Sequence, residues 1–211
     1  MSGHEVRRPL LRGLALANDF AVVRTLHGEA LVQKVANRLT PEQRRELEAG
    51  FLPARWYEED IQARLSAVVL EELGEQALVR LGVAIVRYHV NRTQRFLARI
   101  AGPRRLLQRS AGLWSYWRDT GRLSIEHLDD TSAKVAVLDN PTVARPGYAW
   151  LYGGASAFLV YLSGARQLRL HTDSADPARV VATLVWGAAP SPGPGFIGID
   201  ALVDSLPAPG R

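Results

Sequence analysis

Gly121-Arg122-Leu123-Ser124-Ile125-Glu126-His127-Leu128-Asp129-Asp130-Thr131-Ser132-Ala133-Lys134-Val135-Ala136-Val137 is the stretch on which the fold turns. Leu123, Ile125 and His127 alternate with Ser124 and Glu126, and after the acidic turn Asp129-Asp130 the residues Ala133, Val135 and Val137 alternate again. A period of two places one set of side chains on one face of a strand, so the segment reads as a β-hairpin. Upstream of Gly121 the apolar residues recur at helical spacing instead. The chain therefore changes from helix to sheet at this glycine.

Working back from it, Leu31, Val32, Val35, Ala36 and Leu39 mark one helix. Thr40-Pro41-Glu42-Gln43 then opens a second with a threonine cap, a proline at the first helical position and Gln43 at the third, and this helix ends near Gly50. Leu65, Val68, Val69 and Leu73 define a third, from about Glu58 to Gly74. Leu78, Leu81, Ile85, Tyr88, Phe96 and Ile100 predict a long fourth helix closed by Ala101-Gly102-Pro103, and a fifth runs from Pro103 to Asp119. Working forward, Tyr148 to Ser163 is an apolar helix closed by Gly164, and Leu168, Leu170 and Val180 to Trp186 form a second hairpin. The expected fold is α+β: a helical layer of about five helices, then a ββ-α-ββ unit forming a four-stranded antiparallel sheet. Residues 1–20 are expected to form a loosely ordered arm, 21–187 a single domain, and 188–211, rich in Pro and Gly, a flexible tail.

The 211 residues suffice for one such core. With no cysteine, disulfides, thiolate metal sites and cysteine nucleophiles are excluded, which fits a cytoplasmic location. No apolar run approaches the roughly 20 residues of a membrane span. The net charge of +5 is uneven: residues 1–121 hold 19 basic and 13 acidic side chains, net +6, and 122–211 hold 7 and 8, net −1. Lys34 and Lys134 are the sole lysines among the 26 basic residues.

Between Glu75 and Asp119 there is no acidic residue, while nine arginines occur. Arg80, Arg87, Arg95, Arg99, Arg104, Arg105 and Arg109 are candidates for an interaction surface directed at an acidic partner, a lipid surface or phosphates. The alternative is pairing with the acids of the preceding helix, Glu58, Glu59, Asp60, Glu71 and Glu72. The modest net charge and the lack of any reading module argue against nucleic acid. His89 and Arg92 interrupt the apolar stripe of the fourth helix, and with Tyr88, Trp114 and Trp117 they form a candidate pocket for a small apolar or acidic ligand. A satisfied core arrangement is the competing reading for each.

Gly154-Ala155-Ser156-Ala157-Phe158 lacks the final glycine of a nucleophile elbow, and no paired carboxylates or histidine cluster occurs. No catalytic residue, metal ligand or cofactor is therefore assigned, and an enzyme is not expected.

Leu81-Gly82, Arg92-Thr93, the run Ala101-Gly102-Pro103-Arg104-Arg105-Leu106-Leu107-Gln108-Arg109, then Gly164-Ala165 and Val185-Trp186 resemble a large paralogous family of uncharacterised myxobacterial proteins over about residues 28–187. The order of helices followed by ββ-α-ββ is similar to the superfamily of vinyl-reductase-like small-molecule-binding domains, haem–nitric-oxide sensors and vesicle-tethering subunits. That resemblance implies an apolar pocket between helices and sheet, or a dimerisation face on the helices. The Tyr-x-Ser-x-Arg motif of the haem sensors is absent here, Tyr116-Trp117-Arg118 not matching it. Two functions are expected on these grounds: a non-catalytic small-ligand sensor or regulatory module, or a homodimeric scaffold using the arginine-rich helical surface.

Overall fold

The computed structural model describes residues 8–187 and 195–207. The chain enters on β1 (Leu10–Arg12), which pairs antiparallel with β2 (Trp56–Glu58). Between them lie α1 (Gly13–His27), α2 (Glu29–Arg38) and α3 (Pro41–Ala49). The capping box read at Thr40 forms in full: the Thr40 hydroxyl accepts from Gln43 N at 3.2 Å, and Gln43 Oε1 accepts from Thr40 N at 3.1 Å. Then follow α4 (Asp60–Leu73), α5 (Glu75–His89), α6 (Arg92–Gly112) and the single turn α7 (Trp114–Trp117).

The switch at Gly121 occurs where the period changes. β3 (Arg122–Leu128) and β4 (Ser132–Leu138) form the first hairpin, α8 (Tyr148–Leu162) follows, and β5 (Arg169–Asp173) with β6 (Arg179–Val185) forms the second. The fold is α+β, a helical layer followed by an antiparallel sheet, as the patterning predicts.

Four local expectations change. The long fourth helix breaks at Val90, because Asn91 starts a new helix with its own box, accepting from Gln94 N at 2.9 Å while Gln94 Oε1 accepts from Asn91 N at 2.9 Å. The end expected at Ala101-Gly102-Pro103 is found as a sharp break within α6, Gly102 leaving helical geometry at φ 71°, but the helix beyond it stops at Gly112 and not near Asp119, with α7 as a separate turn. Residues 10–20 form β1 and half of α1, with Leu11 and Leu16 fully buried, because the arm carries enough apolar surface to join the core. In the expected tail, 188–194 and 208–211 lie outside the described residues, but β7 (Ile197–Gly198) adds a fifth strand on β5 and α9 (Asp200–Asp204) packs against α5. Ile199, Leu202, Val203 and Leu206 anchor that segment by burial.

The sheet order is β3-β4-β6-β5-β7. One side of α8 lies on β5 and β6 and another meets α5, so α8 is apolar nearly all round, as a helix between two layers must be. The α5–α8 approach is backbone to backbone. A methyl added at Gly82 would lie 2.1 Å from the Leu151 carbonyl oxygen, and one at Gly154 2.3 Å from that of Val79. Gly153 faces the other way, against Leu170 and Thr172 of β5. The paired glycines thus let α8 touch helix and sheet at once. Ser156, the serine of the elbow-like segment, is buried within this helix, so it is no exposed nucleophile.

Gly82→Ala and Gly154→Ala are each expected to destabilise the fold by about 1–3 kcal/mol or more, since the obstructing atoms are backbone. Gly112→Ala, whose methyl would meet nothing within 4 Å, should stay within about 1 kcal/mol of the parent. Urea denaturation monitored by circular dichroism separates the two outcomes.

Candidate functional site

The most buried charges converge where α1, α4, α7, β4 and α8 meet. Arg118, just after α7, donates through Nε to Glu59 Oε1 at 2.7 Å and through a terminal nitrogen to Gln62 Oε1 at 2.6 Å. Gln62 Nε2 donates in turn to Asp19 Oδ2 at 2.5 Å. Glu59 Oε2 accepts from Asn140 Nδ2 at 3.0 Å, and Glu59 Oε1 accepts from the Tyr148 hydroxyl at 3.2 Å. The guanidinium also lies over the rings of Trp114 and Tyr152, 4.9 and 4.8 Å from their centroids. Glu59 and Arg118 thus find partners for most of their polar atoms, which is the condition for burying an ion pair.

This network sets the protonation of its members. Burial works against the Arg118 charge, and Glu59, together with Tyr148 and Asp19, more than restores it. Burial and the Glu59 carboxylate hold the Tyr148 hydroxyl well above its ordinary range, so it stays a neutral donor. Burial pushes the Asp19 carboxyl up to about 7, with the Gln62 bond and the Arg118 charge opposing it.

The expected ligand residues are dispersed. Tyr88 packs against the main core and its hydroxyl reaches the Pro207 carbonyl, His89 is exposed with Nδ1 2.5 Å from the Ile85 carbonyl, and Arg92 is exposed at the start of α6. The single stripe inferred for them ends with α5 at His89. Trp114 belongs to a second, smaller core cluster with Tyr148 and Val137, its Nε1 donating to Thr120 O at 2.9 Å. Trp117 stacks edge-on with Tyr116. Among the described residues, no side-chain hydrogen bond or ring contact joins the five.

The seven arginines of the expected interaction surface divide. Arg80 donates to Ser205 O and Arg87 to Val203 O, holding α9, while Arg95 caps α5 through Val90 O and Arg87 O. Arg99, Arg104, Arg105 and Arg109 are exposed and make no hydrogen bond or ion pair to a described residue, and Arg92 is in the same condition. The acids expected to neutralise the group are taken elsewhere: Glu58 by Arg8, Asp60 by Arg64 and Arg145, Glu71 by Arg38, Glu72 by Lys34 and Glu59 by Arg118.

Beside these free arginines, α6 turns apolar side chains to solvent. Phe96, Leu97 and Ile100 are 63, 56 and 66% exposed, and only Ala98 and Leu107 of the helix are buried. At 100° per residue, Phe96, Ile100 and Leu97 share one arc with Arg92 and Arg99 at its border; beyond the break at Gly102, Arg104, Arg105, Gln108 and Arg109 are exposed. Sequence reading placed Phe96 and Ile100 inward. Their helical spacing was correct, but spacing alone does not say which side of a helix meets the core.

Two open grooves, of about 350 and 200 Å³, meet at Asp60, Arg64 and Arg145 on the surface of α4. Their arginines Arg8, Arg38, Arg64 and Arg145 are all ion-paired within the chain, so an acidic ligand there would have to displace Glu58, Glu71 or Asp60. Among the described residues no group of three or more metal-ligating side chains occurs, and no helix is long and apolar enough to cross a membrane.

No protein-family model and no curated protein matches the chain. Solved structures do match in fold. The Fe(II) unliganded H-NOX protein from K. algicida aligns with a TM-score of 0.63 at 9% identity over 87% of this chain and 100% of its own. The S. oneidensis H-NOX protein in the Fe(II)NO state aligns with a TM-score of 0.61 at 9% identity, over 84 and 99%. The chain thus has the fold of H-NOX domains, in line with the similarity in element order to haem–nitric-oxide sensors.

No described histidine is placed to hold a haem. An axial side chain must face an enclosed apolar slot. His89 and His127 are exposed, His127 pairing with Asp129, and His171 lies against Phe196 and Gly195 O. His27 is the described histidine whose Nε2 is both buried and without a partner, yet it sits near Arg80, and neither groove reaches it. Burial, with the Arg80 charge behind it, lowers its pKa. Inside the fold, the α5–α8 backbone contact leaves no slot between those two helices.

Two variants test the buried network. Asp19 is protonated to a higher pH folded than unfolded, so its contribution to stability is complete below about 4 and is lost as pH rises through about 7. Asp19→Asn should flatten the stability profile across that window and raise stability at pH 8, read by urea denaturation at several pH values. Arg118→Met, which leaves Glu59 buried without its cation, should cost about 3–5 kcal/mol, and Glu59→Leu added to it should recover much of that loss.

Proposed function

We propose that the chain is a non-catalytic regulatory module that works through a docking surface on the outer face of α6, and not through a ligand held inside the fold. The observation that carries this is the combination on α6 of three exposed apolar side chains, Phe96, Leu97 and Ile100, with five arginines that have no side-chain partner among the described residues. Large apolar residues gathered on a surface and bordered by charge mark interaction sites in soluble proteins. A fold shared with sensor domains agrees with a regulatory role, and the closed α5–α8 contact favours an external surface over an internal pocket.

Two measurements check the proposal. A photo-crosslinking residue at Leu97 should give a discrete adduct in the native host, absent when the crosslinker is placed at exposed Glu48 and lost on adding Ile100→Asp. Failure of the Leu97 probe to capture anything sinks the docking reading. Titration with haemin should produce no saturable Soret shift; a stoichiometric ligated spectrum would return the function to the interior.

A further inference from the structure

We infer that the occupant of the α6 face is the surface of a membrane carrying anionic lipid, an assignment that rests on the docking reading above and goes on to name its partner. The two segments of α6 expose two kinds of group in sequence. The segment before Gly102 presents Phe96, Leu97 and Ile100 with Arg92 and Arg99 along the edge of the apolar arc, and the segment beyond the break exposes Arg104, Arg105 and Arg109. Every charged group on it is a donor. No acid occurs from residue 76 to 118, and the outward arc offers no carboxylate that a partner's lysine or arginine could meet.

A bilayer with anionic headgroups is the complement of that pattern. Its phosphates supply acceptors alone, which arginine engages two at a time, and the acyl region just beneath takes apolar side chains a few ångströms deep. An in-plane amphipathic helix with Phe and Leu on one arc and arginines beside it is the geometry such binding uses. A second copy of this chain complements it poorly, because a two-fold contact through α6 would set one arginine group against another. Three apolar side chains also cover little of the roughly 800 Å² that each partner contributes to a stable protein interface. A membrane requires no such area, since its affinity grows with each inserted side chain and each arginine separately. Nucleic acid would match the arginines but leave Leu97 and Ile100 in water, as neither stacks on a base.

The kink at Gly102 and the caps around it allow this. Arg95, turned inward onto the carbonyls of Arg87 and Val90, fixes the first turn of α6 to the end of α5, so the outward arc is presented by an anchored helix. Arg80 and Arg87 are engaged with α9 and play no part.

The cysteine-free chain makes the test direct. The full-length protein with Leu97→Cys, labelled with an environment-sensitive dye, is mixed with vesicles of equimolar phosphatidylglycerol and phosphatidylcholine, and separately with vesicles of phosphatidylcholine alone. A blue shift and co-sedimentation with the anionic vesicles only, weakening as salt is raised, is the expected result. Replacing Arg104, Arg105 and Arg109 together by Gln should weaken binding on the order of a hundredfold, at about fivefold per arginine. Phe96→Ser with Ile100→Ser should remove the dye shift; circular dichroism checks that each variant stays folded. Absence of binding to anionic vesicles at low salt, equal binding to neutral ones, or indifference to both sets of substitutions would overturn the assignment. If the vesicles fail while the Leu97 crosslinker captures a protein, the lipid assignment falls and the docking reading stands; if both fail, both fall.

Discussion

The contact between α5 and α8 at Gly82 and Gly154 is the constraint from which the rest of the arrangement follows. Because neither residue carries a Cβ, the two helix backbones meet where side chains would otherwise hold them about 8–10 Å apart. That approach draws α8 onto the sheet on one side and onto the helical layer on the other. It also leaves no space between these two helices for a ligand. Gly153, one residue earlier, performs the matching service toward β5. Three glycines in two helices thus set the spacing of all three layers.

A core closed in this way leaves its polar groups to be reconciled within the chain. The Arg118 network does this at the point where five elements meet, and its partners come from positions as distant as 19, 59, 62, 140 and 148. Each group satisfies another: Glu59 is held by Arg118, Asn140 and Tyr148, and Gln62 passes the chain of bonds on to Asp19. The arrangement reads as a specifier of how the layers dock, because a shift of any one element would leave a buried charge unpaired, at a cost much larger than that of an exposed pair. Trp114 belongs to it as a ring under the guanidinium.

How much of this was legible in the sequence depended on whether the cause was local. The Thr40 capping box, the period-two hairpins and the break at Gly121 are decided by neighbours within a few residues, and all are found where the pattern puts them. The Asn91-Gln94 box is equally local and was available as a signal for the break in the long helix. The candidate site was not legible in the same way. Arg109 and Arg118 are indistinguishable by sequence, yet one is exposed and the other is buried on Glu59, because the acids that neutralise arginines in this fold lie tens of positions away. Composition misled at the C-terminal end, where Pro and Gly conceal the spacing of Ile199, Leu202 and Leu206 that anchors α9.

Outside this packed core, α6 carries an uncovered apolar surface. The two helical segments of α6, with two buried side chains between them, gain little from the core beneath, and helices of that kind owe most of their stability to tertiary packing of an apolar face. Here the apolar arc of the first half is turned away from that packing. The helix is held by its Asn91 cap, by Arg95 and by its inner edge against α8 and β3. Anything that covers Phe96, Leu97 and Ile100 therefore stabilises α6 as well as binding to it, by the linkage that joins occupancy to the folded population. Occupancy of this outer helix and its local stability are coupled in that sense.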